Sequence, residues 1–399
     1  KMTTTIDNEQ KTLNVPNLRF PEFEGEWQET RLKEISKFSK ERLNSIELSC
    51  SNYVTTENML QDYKGIVSAT NLPTNTNVVK FSKGDVLLSN IRPYLKKVWY
   101  ADRNGGCSAD VFVFKALPIC DSNFLHHVIA NDRFIKFVMG GAKGVKMPRG
   151  DKEQMITYKV GLPCIEEQKK IANLLSLFDE RISTQNKIID KLQSLIKGIM
   201  VELQKQGQNK GNWRNVLLSK VLTERDERNT NLYQVFSVSV SRGVINQVDY
   251  LGRSFAARDT SKYNVVHYGD LVYTKSPTGA YPYGIVKQNL NQENVAVSPL
   301  YGVYIPNSLS VGTYLHEYFR SEINTHNYLH PLIQKGAKNT INITNQRFLE
   351  NSVPMPVCAN ELLLISKLLI SFNDKIKYQQ SILQLYQKQK QYLLRQMFI

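Results

Sequence analysis

The sequence predicts an α+β chain: two similar globular α/β modules separated by a long antiparallel coiled coil of two helices, related by an internal pseudo-twofold repeat. Three observations carry this expectation. The helical segment LLSLFDERI at 174–182 returns 194 positions later as LLISFNDKI at 368–376. Three further landmarks recur in the same order: GEW (25–27) as GNW (211–213), KGDVLLS (83–89) as YGDLVYT (268–274), and GGAK (140–143) as KGAK (335–338), at offsets from 185 to 195. Order kept while loop lengths differ marks a tandem duplication. Between the landmarks, short apolar or alternating runs bounded by Gly, Pro and Asn read as strands.

Each copy opens with a globular part of about 140 residues, within the usual range for a single domain. In the first, GDVLLSNIRPY, KKVWYA and ADVFVFKA are strand-like; in the second, YQVFSVSVS, GDLVYT and NVAVSPLYGVYI. One short helix is expected at NFLHHVIANDRFIKFVM, with a counterpart at VGTYLHEYFRSEINTHNYL. A long helix then follows Pro163 in the first copy and Pro356 in the second, since proline's fixed φ suits a helix start. Glu166 and Glu167 complement the first helix dipole.

The seam of the first helix is Ile171, Leu175, Phe178, Ile182, Gln185, Ile189, Leu192, Ile196, Ile199 and Leu203, with steps alternating four and three. That is the heptad pattern of a coiled coil. Adding 194 gives Ile365, Leu369, Phe372, Ile376, Gln379, Leu383, Tyr386, Lys390, Leu393 and Met397. Tyr386 and Lys390 make the second seam more polar, so its last turns are expected to be partly exposed. Helices of about forty residues reach about 60 Å and need a partner along their length. An antiparallel pair would set Gln185 opposite Gln379, a polar contact that fixes register at some cost in stability. Leu174, Leu177, Ile188 and Leu195 lie off the seam, and their exposure would favour a docked partner.

Lys and Arg outnumber Asp and Glu by 51 to 36, a net charge of +15, which favours a polyanionic partner. A solvated basic surface remains the alternative. The five cysteines form no C-x-x-C pair, which points to unpaired thiols in a reducing cytoplasm. The polar opening stretch offers no apolar signal core, and no apolar run is long enough to span a membrane.

Two modules on a rigid spacer suit a ligand with two reading sites separated by unread length, such as double-stranded DNA with a bipartite site. In copy one, Asn90, Arg92, Tyr94, Lys96, Lys97 and Arg103 fall in a strand–turn setting. Arg and Asn can hold purine edges through paired hydrogen bonds, and Lys suits phosphate. A half-exposed basic strand fits the same residues. Lys143, Lys146, Arg149 and Lys152 stand among glycines in GGAKGVKMPRGDK, which is no nucleotide P-loop because Val145 occupies the lysine position. The matching places in copy two offer Lys275, Ser276, Thr278, Tyr281 and Tyr283, then Lys335, Lys338, Asn339, Thr340 and Asn342. Their chemistry differs from copy one, so the two loops would read different bases. Tyr53 and Asn58 could contact DNA or simply form a turn.

Motifs of catalysis are lacking. His326 and His330 are spaced i, i+4 but have no carboxylate between them, so neither a metal nor a catalytic role is assigned. A hydrolase reading finds no acid–base constellation. No nucleotide-cofactor fingerprint occurs, and no aminomethylating tetrad. A non-catalytic binding protein without cofactors fits best.

The pattern resembles the specificity subunit of type I restriction–modification systems. The resemblance rests on FPEFEGEW (20–27), GDVLLSNIRPYLKKVWYA (84–101) and LPCIEEQKKIANLLSLFDERI (162–182), with a diverged copy of the last block at 353–376. It implies an N-terminal arm (1–19), a first target recognition domain (20–161), a central spacer helix (162–208), a second target recognition domain (209–353) and a C-terminal spacer helix (354–399). It further implies docking of two modification methyltransferase subunits, which would carry S-adenosylmethionine, and of restriction motor-nuclease subunits using ATP. Copy two lacks SNIRPY and starts its helix block with CANELLLIS where copy one has CIEEQKKIA. A stand-alone bivalent DNA-binding or architectural protein without catalytic partners is the second reading.

Overall fold

The structure, a computed structural model, describes residues 14–335 and 341–399. It divides into two compact units, one running to Lys187 and including Ser381–Ile399, the other Ile188–Gln380. Each unit therefore holds one globular module and part of both long helices, Ile165–Lys210 and Ala359–Gln396.

In the first unit, strands Ser36–Phe38, Val111–Ala116, Val86–Ser89 and Val98–Tyr100 form an antiparallel sheet in that order. Successive side chains of a strand point to opposite faces, and here both faces are covered. Val86, Leu88, Phe112 and Phe114 join a core with the helices. Leu87, Val111 and Val113 pack with Phe81 and Trp99 on the other side. This is why VLLS reads as an unbroken apolar run. The second unit repeats the order with Leu222–Glu224, Gly302–Pro306, Leu271–Tyr273 and Val286–Gln288. Its centre is aromatic, Phe348 stacking between Tyr273 and Tyr304. Burial of these tyrosines is tolerated because each hydroxyl donates to a carbonyl, Tyr273 to Tyr283 and Tyr304 to Asn345.

The repeated landmarks have physical causes. Gly84 and Gly269 take φ of +91° and +90°, a conformation glycine adopts without a Cβ penalty. The following aspartate closes each turn, Asp85 accepting from Ser82 N–H and Asp270 from His267 N–H. Trp27 and Trp213 are both buried, at the start of two-stranded pairs formed with the segments that lead into the long helices.

Each expected short helix proves to be two. Asn131 caps Asp132–Gly140 after Ser122–Ile129 has ended, and Ser321 caps Glu322–Leu329 after Leu309–Tyr318. A side chain that accepts from the next helix's first N–H groups competes with continuing the first helix.

The long helices are unbroken over 46 and 38 residues, and every seam residue named above is buried or half-buried. In the first unit, Asp179 meets Lys390 and Arg181 meets Tyr386. One number rises as the other falls, so these segments run antiparallel. The expected exposure of the last turns does not hold. Lys390 is buried with its ammonium on Asp179, and Leu394, Met397 and Phe398 complete the first module's core. Leu174 also packs against that core.

Residues 14–19, placed by the sequence in an arm, are docked. Arg19 forms a two-pronged ion pair with buried Glu167, and Leu18 N–H donates to Gln396. Glu361, the counterpart of Glu167, accepts from the Trp213 indole instead. Gln168 bonds the backbone of Asp121, Ile119 and Pro163, which explains the polar IEEQ start of the first helix.

Gly207 tests this packing. In an open helix, Gly→Ala gains about 1 kcal/mol; here an added Cβ would lie 2.2 Å from the Trp213 ring. Gly207→Ala should therefore destabilise the chain by about 1–3 kcal/mol in denaturant unfolding.

Candidate nucleic-acid interface

Three loops of the first unit converge. The segment after Val86–Ser89 makes a single 3-10 turn, Pro93–Leu95, before strand Val98–Tyr100. Arg92 N–H donates to Pro148 and Gly150 N–H donates to Asn90, which fastens this turn to the 143–150 loop. Asp62 N–H donates to Leu95 and Tyr63 N–H to Lys96, bringing in a third loop. The two basic stretches read from the sequence are thus one surface.

Strain is concentrated there. Six non-glycine residues among those described have positive φ, and four of them, Asp62, Tyr63, Arg92 and Lys96, belong to these loops. Such conformations cost about 1–3 kcal/mol each and persist where neighbours enforce them, often at functional sites. Arg92 is half-buried with φ 51° and ψ 62°. Its Nε and the Asn90 Oδ1 are buried without a hydrogen-bond partner. Buried polar groups normally have partners, so these two atoms stand out among the described residues.

Other expected residues divide. Tyr94, Lys143, Lys146 and Arg149 are exposed. Lys143 pairs with Asp151 at 2.9 Å and Arg149 lies 3.4 Å from Asp110. Lys96 is engaged with Asp132, and Lys97 donates to the Thr56 carbonyl at 2.5 Å. Burial holds the Lys97 ammonium below the usual lysine range, with Arg92 adding to the effect. Arg103 is paired with Asp102. Asn58 is a turn-former, its amide donating to Tyr53 and Val67 and its oxygen accepting from Thr55. Tyr53 is buried.

In the second unit, Thr278 and Tyr281 exchange backbone bonds across a tight turn, with Ser276 and Thr278 exposed. Tyr281 is buried and donates to the Arg320 carbonyl. The Tyr283 ring lies 5.2 Å from His326 and 5.9 Å from His330, which stack on each other; the histidine pair packs the loop. Lys275 is half-buried, and desolvation lowers its pKa. Asn342 is exposed beside a strand pairing of Gln334 with Asn342. Lys338, Asn339 and Thr340 lie outside the described residues.

Sequence reasoning passed over an exposed patch in the second unit, where Arg253 sits 4.4 Å over Phe255 and Arg242 lies 5.8 Å from Tyr250. Arg and aromatic residues at 242–255 were the available signal. Among the described residues, no cluster of His, Cys, Asp and Glu could hold a metal, and no helix is long and apolar enough to cross a membrane.

Exposed loops on a packed scaffold are where binding residues concentrate in proteins generally. Residues 24–194 match the family model described as Type I restriction modification DNA specificity domain. It is 28% identical over 204 residues to the Type I restriction enzyme MjaVIII specificity subunit of Methanocaldococcus jannaschii, covering 50% of this chain and 46% of that one. It is 24% identical over 139 residues to the Type I restriction enzyme EcoDI specificity subunit of Escherichia coli, covering 34% of this chain and 31% of that one. The chain thus spans less than half the length of either curated relative. Its fold is that of a Type-I restriction-modification system S subunit from M. genitalium, with a TM-score of 0.60 at 13% identity over 96% of this chain and 99% of that one.

Arg92→Gly separates site from scaffold. Glycine accepts the left-handed backbone, so unfolding stability should hold or rise by up to about 1 kcal/mol. A loss above about 2 kcal/mol would make the guanidinium a structural strut.

Proposed function

We propose that the chain is the non-catalytic specificity subunit of a type I restriction–modification complex in the cytoplasm. Its two modules, taken as target recognition domains within 20–161 and 209–353, read the two halves of a bipartite DNA site. Residues 162–208 and 354–399 serve as spacer helices. The observation that carries this reading is the junction of loops 90–97 and 143–150, where Arg92 and Asn90 keep unpaired polar atoms amid exposed cations. The proposed DNA contacts are Asn90, Arg92, Tyr94, Lys143, Lys146 and Arg149 in the first module. In the second they are Lys275, Ser276, Thr278, Tyr283 and Asn342, with Lys338 and Asn339 beyond the described residues. Lys96, Lys97 and Tyr281 act by holding the loops.

Docking of two modification methyltransferase subunits and of restriction motor-nuclease subunits is part of the proposal. Its support is the outward face of the helices. In the first unit Leu177, Leu385 and Tyr392 are exposed; in the second, Ile188, Leu195, Leu364 and Leu368 are. A stand-alone DNA binder would have little reason to keep so many apolar side chains in water.

Arg92→Ala should lower affinity for one half-site by about 1–3 kcal/mol and relax base choice there. Lys146→Ala should instead weaken all sequences alike and reduce the salt slope by about one. Both are read by titrating DNA at several salt concentrations. Uniform weakening by Arg92→Ala would reassign that residue to phosphate. Replacing residues 211–350 with another module should change one half of the site only, as methylation mapping would record. Leu177→Glu with Leu195→Glu should abolish co-purification with the methyltransferase while leaving DNA binding intact.

A further inference from the structure

The tip of the 143–149 loop holds two apolar side chains in an unusual setting. Lys143 and Arg149 exchange backbone hydrogen bonds, 2.9 Å each way, and so close a narrow hairpin. Gly144 enters the tip with φ +97°, and a Cβ there would lie 3.3 Å from the Met147 carbonyl. At the tip Val145 is fully exposed and Met147 half exposed. Around them stand Lys143, Lys146 and Arg149, all exposed; Lys146 meets no carboxylate among the described residues. The hairpin is tied to Arg92 through Pro148 and to Asn90 through Gly150.

Apolar side chains on a narrow projection gain nothing from water, and the ammonium of Lys146 between them, with Lys143 held by Asp151 and Arg149 near Asp110, fits a ligand whose outside is anionic and whose interior is not. Duplex DNA has that layering, with phosphates outside and base edges, thymine methyls and base steps within the grooves. From this geometry we infer that Val145 and Met147 make direct apolar contact with bases, while the flanking cations meet the backbone. The inference rests on the DNA-reading role proposed above and names two specificity-determining residues within it. Val145 and Met147 supply shape and methyl contacts beside the hydrogen bonds of Arg92 and Asn90.

The test uses the full chain and a short duplex selected by it from a randomised pool. The double variant Val145→Ser, Met147→Ser should fold as the parent does, since both side chains face solvent. It should bind the selected duplex about tenfold more weakly. Affinity for a random duplex of the same length should be unchanged, as should the salt slope. Equal weakening on both duplexes, or unchanged affinity for the selected one, overturns the inference. If the unaltered chain selects nothing from the pool, the DNA-reading role itself fails and takes this inference with it; selection that survives beside an indifferent double variant sinks only the inference.

Discussion

Packing along the inner faces of the two long helices is the interaction on which the structure depends. The first globular part is not closed by its own contiguous sequence. The first module's core takes Ile171, Ala172 and Leu175 from one helix and Leu394, Met397 and Phe398 from the other, more than two hundred residues away. The ion pair of buried Lys390 with Asp179 and the Arg181–Tyr386 contact hold those segments in antiparallel register. A buried ammonium left unpaired would cost several kcal/mol, so one polar contact discriminates strongly between registers. In the second unit, Asn373 and Ser366 of the later helix bond Glu317 and Ser310 of the module.

That dependence frees the loops. A sheet covered on both faces and locked to helices can carry strained turns at one edge without losing its fold. Asp62, Tyr63, Arg92 and Lys96 are left-handed, and each takes part in or adjoins backbone hydrogen bonds that join the loops. The modules keep the same strand order while their loops diverge in chemistry. Copy one offers Arg, Asn and Lys; copy two offers Ser, Thr and aromatic groups. Duplication of a scaffold with independent change of its loops is a direct route to two different recognition surfaces on one chain.

Much of the scaffold was legible in the sequence because periodicity records burial. The heptad seam survived as a line of buried or half-buried side chains, and the Gly-Asp repeat marked a turn that needs positive φ. Lys390 was misjudged because residue type alone does not show Asp179 across the seam. Residues 14–19 were set apart because the partner of Arg19, Glu167, lies 148 positions away. The split of each expected short helix was written in Asn131 and Ser321, residues with a strong capping preference, but an apolar period running through them masked it.

The site was less legible. The sequence singled out Arg92 and Arg149 separately, and only the fold joins their loops. It could not tell Arg92, with an unpaired buried Nε, from Lys96 and Lys97, whose ammonium groups are already bound within the module. It also missed the Arg253–Phe255 pair, which became visible through ring geometry. The most direct trial is hydroxyl-radical footprinting of the chain on a selected duplex. The account predicts two protected tracts with an accessible stretch of backbone between them; a single unbroken tract would contradict it.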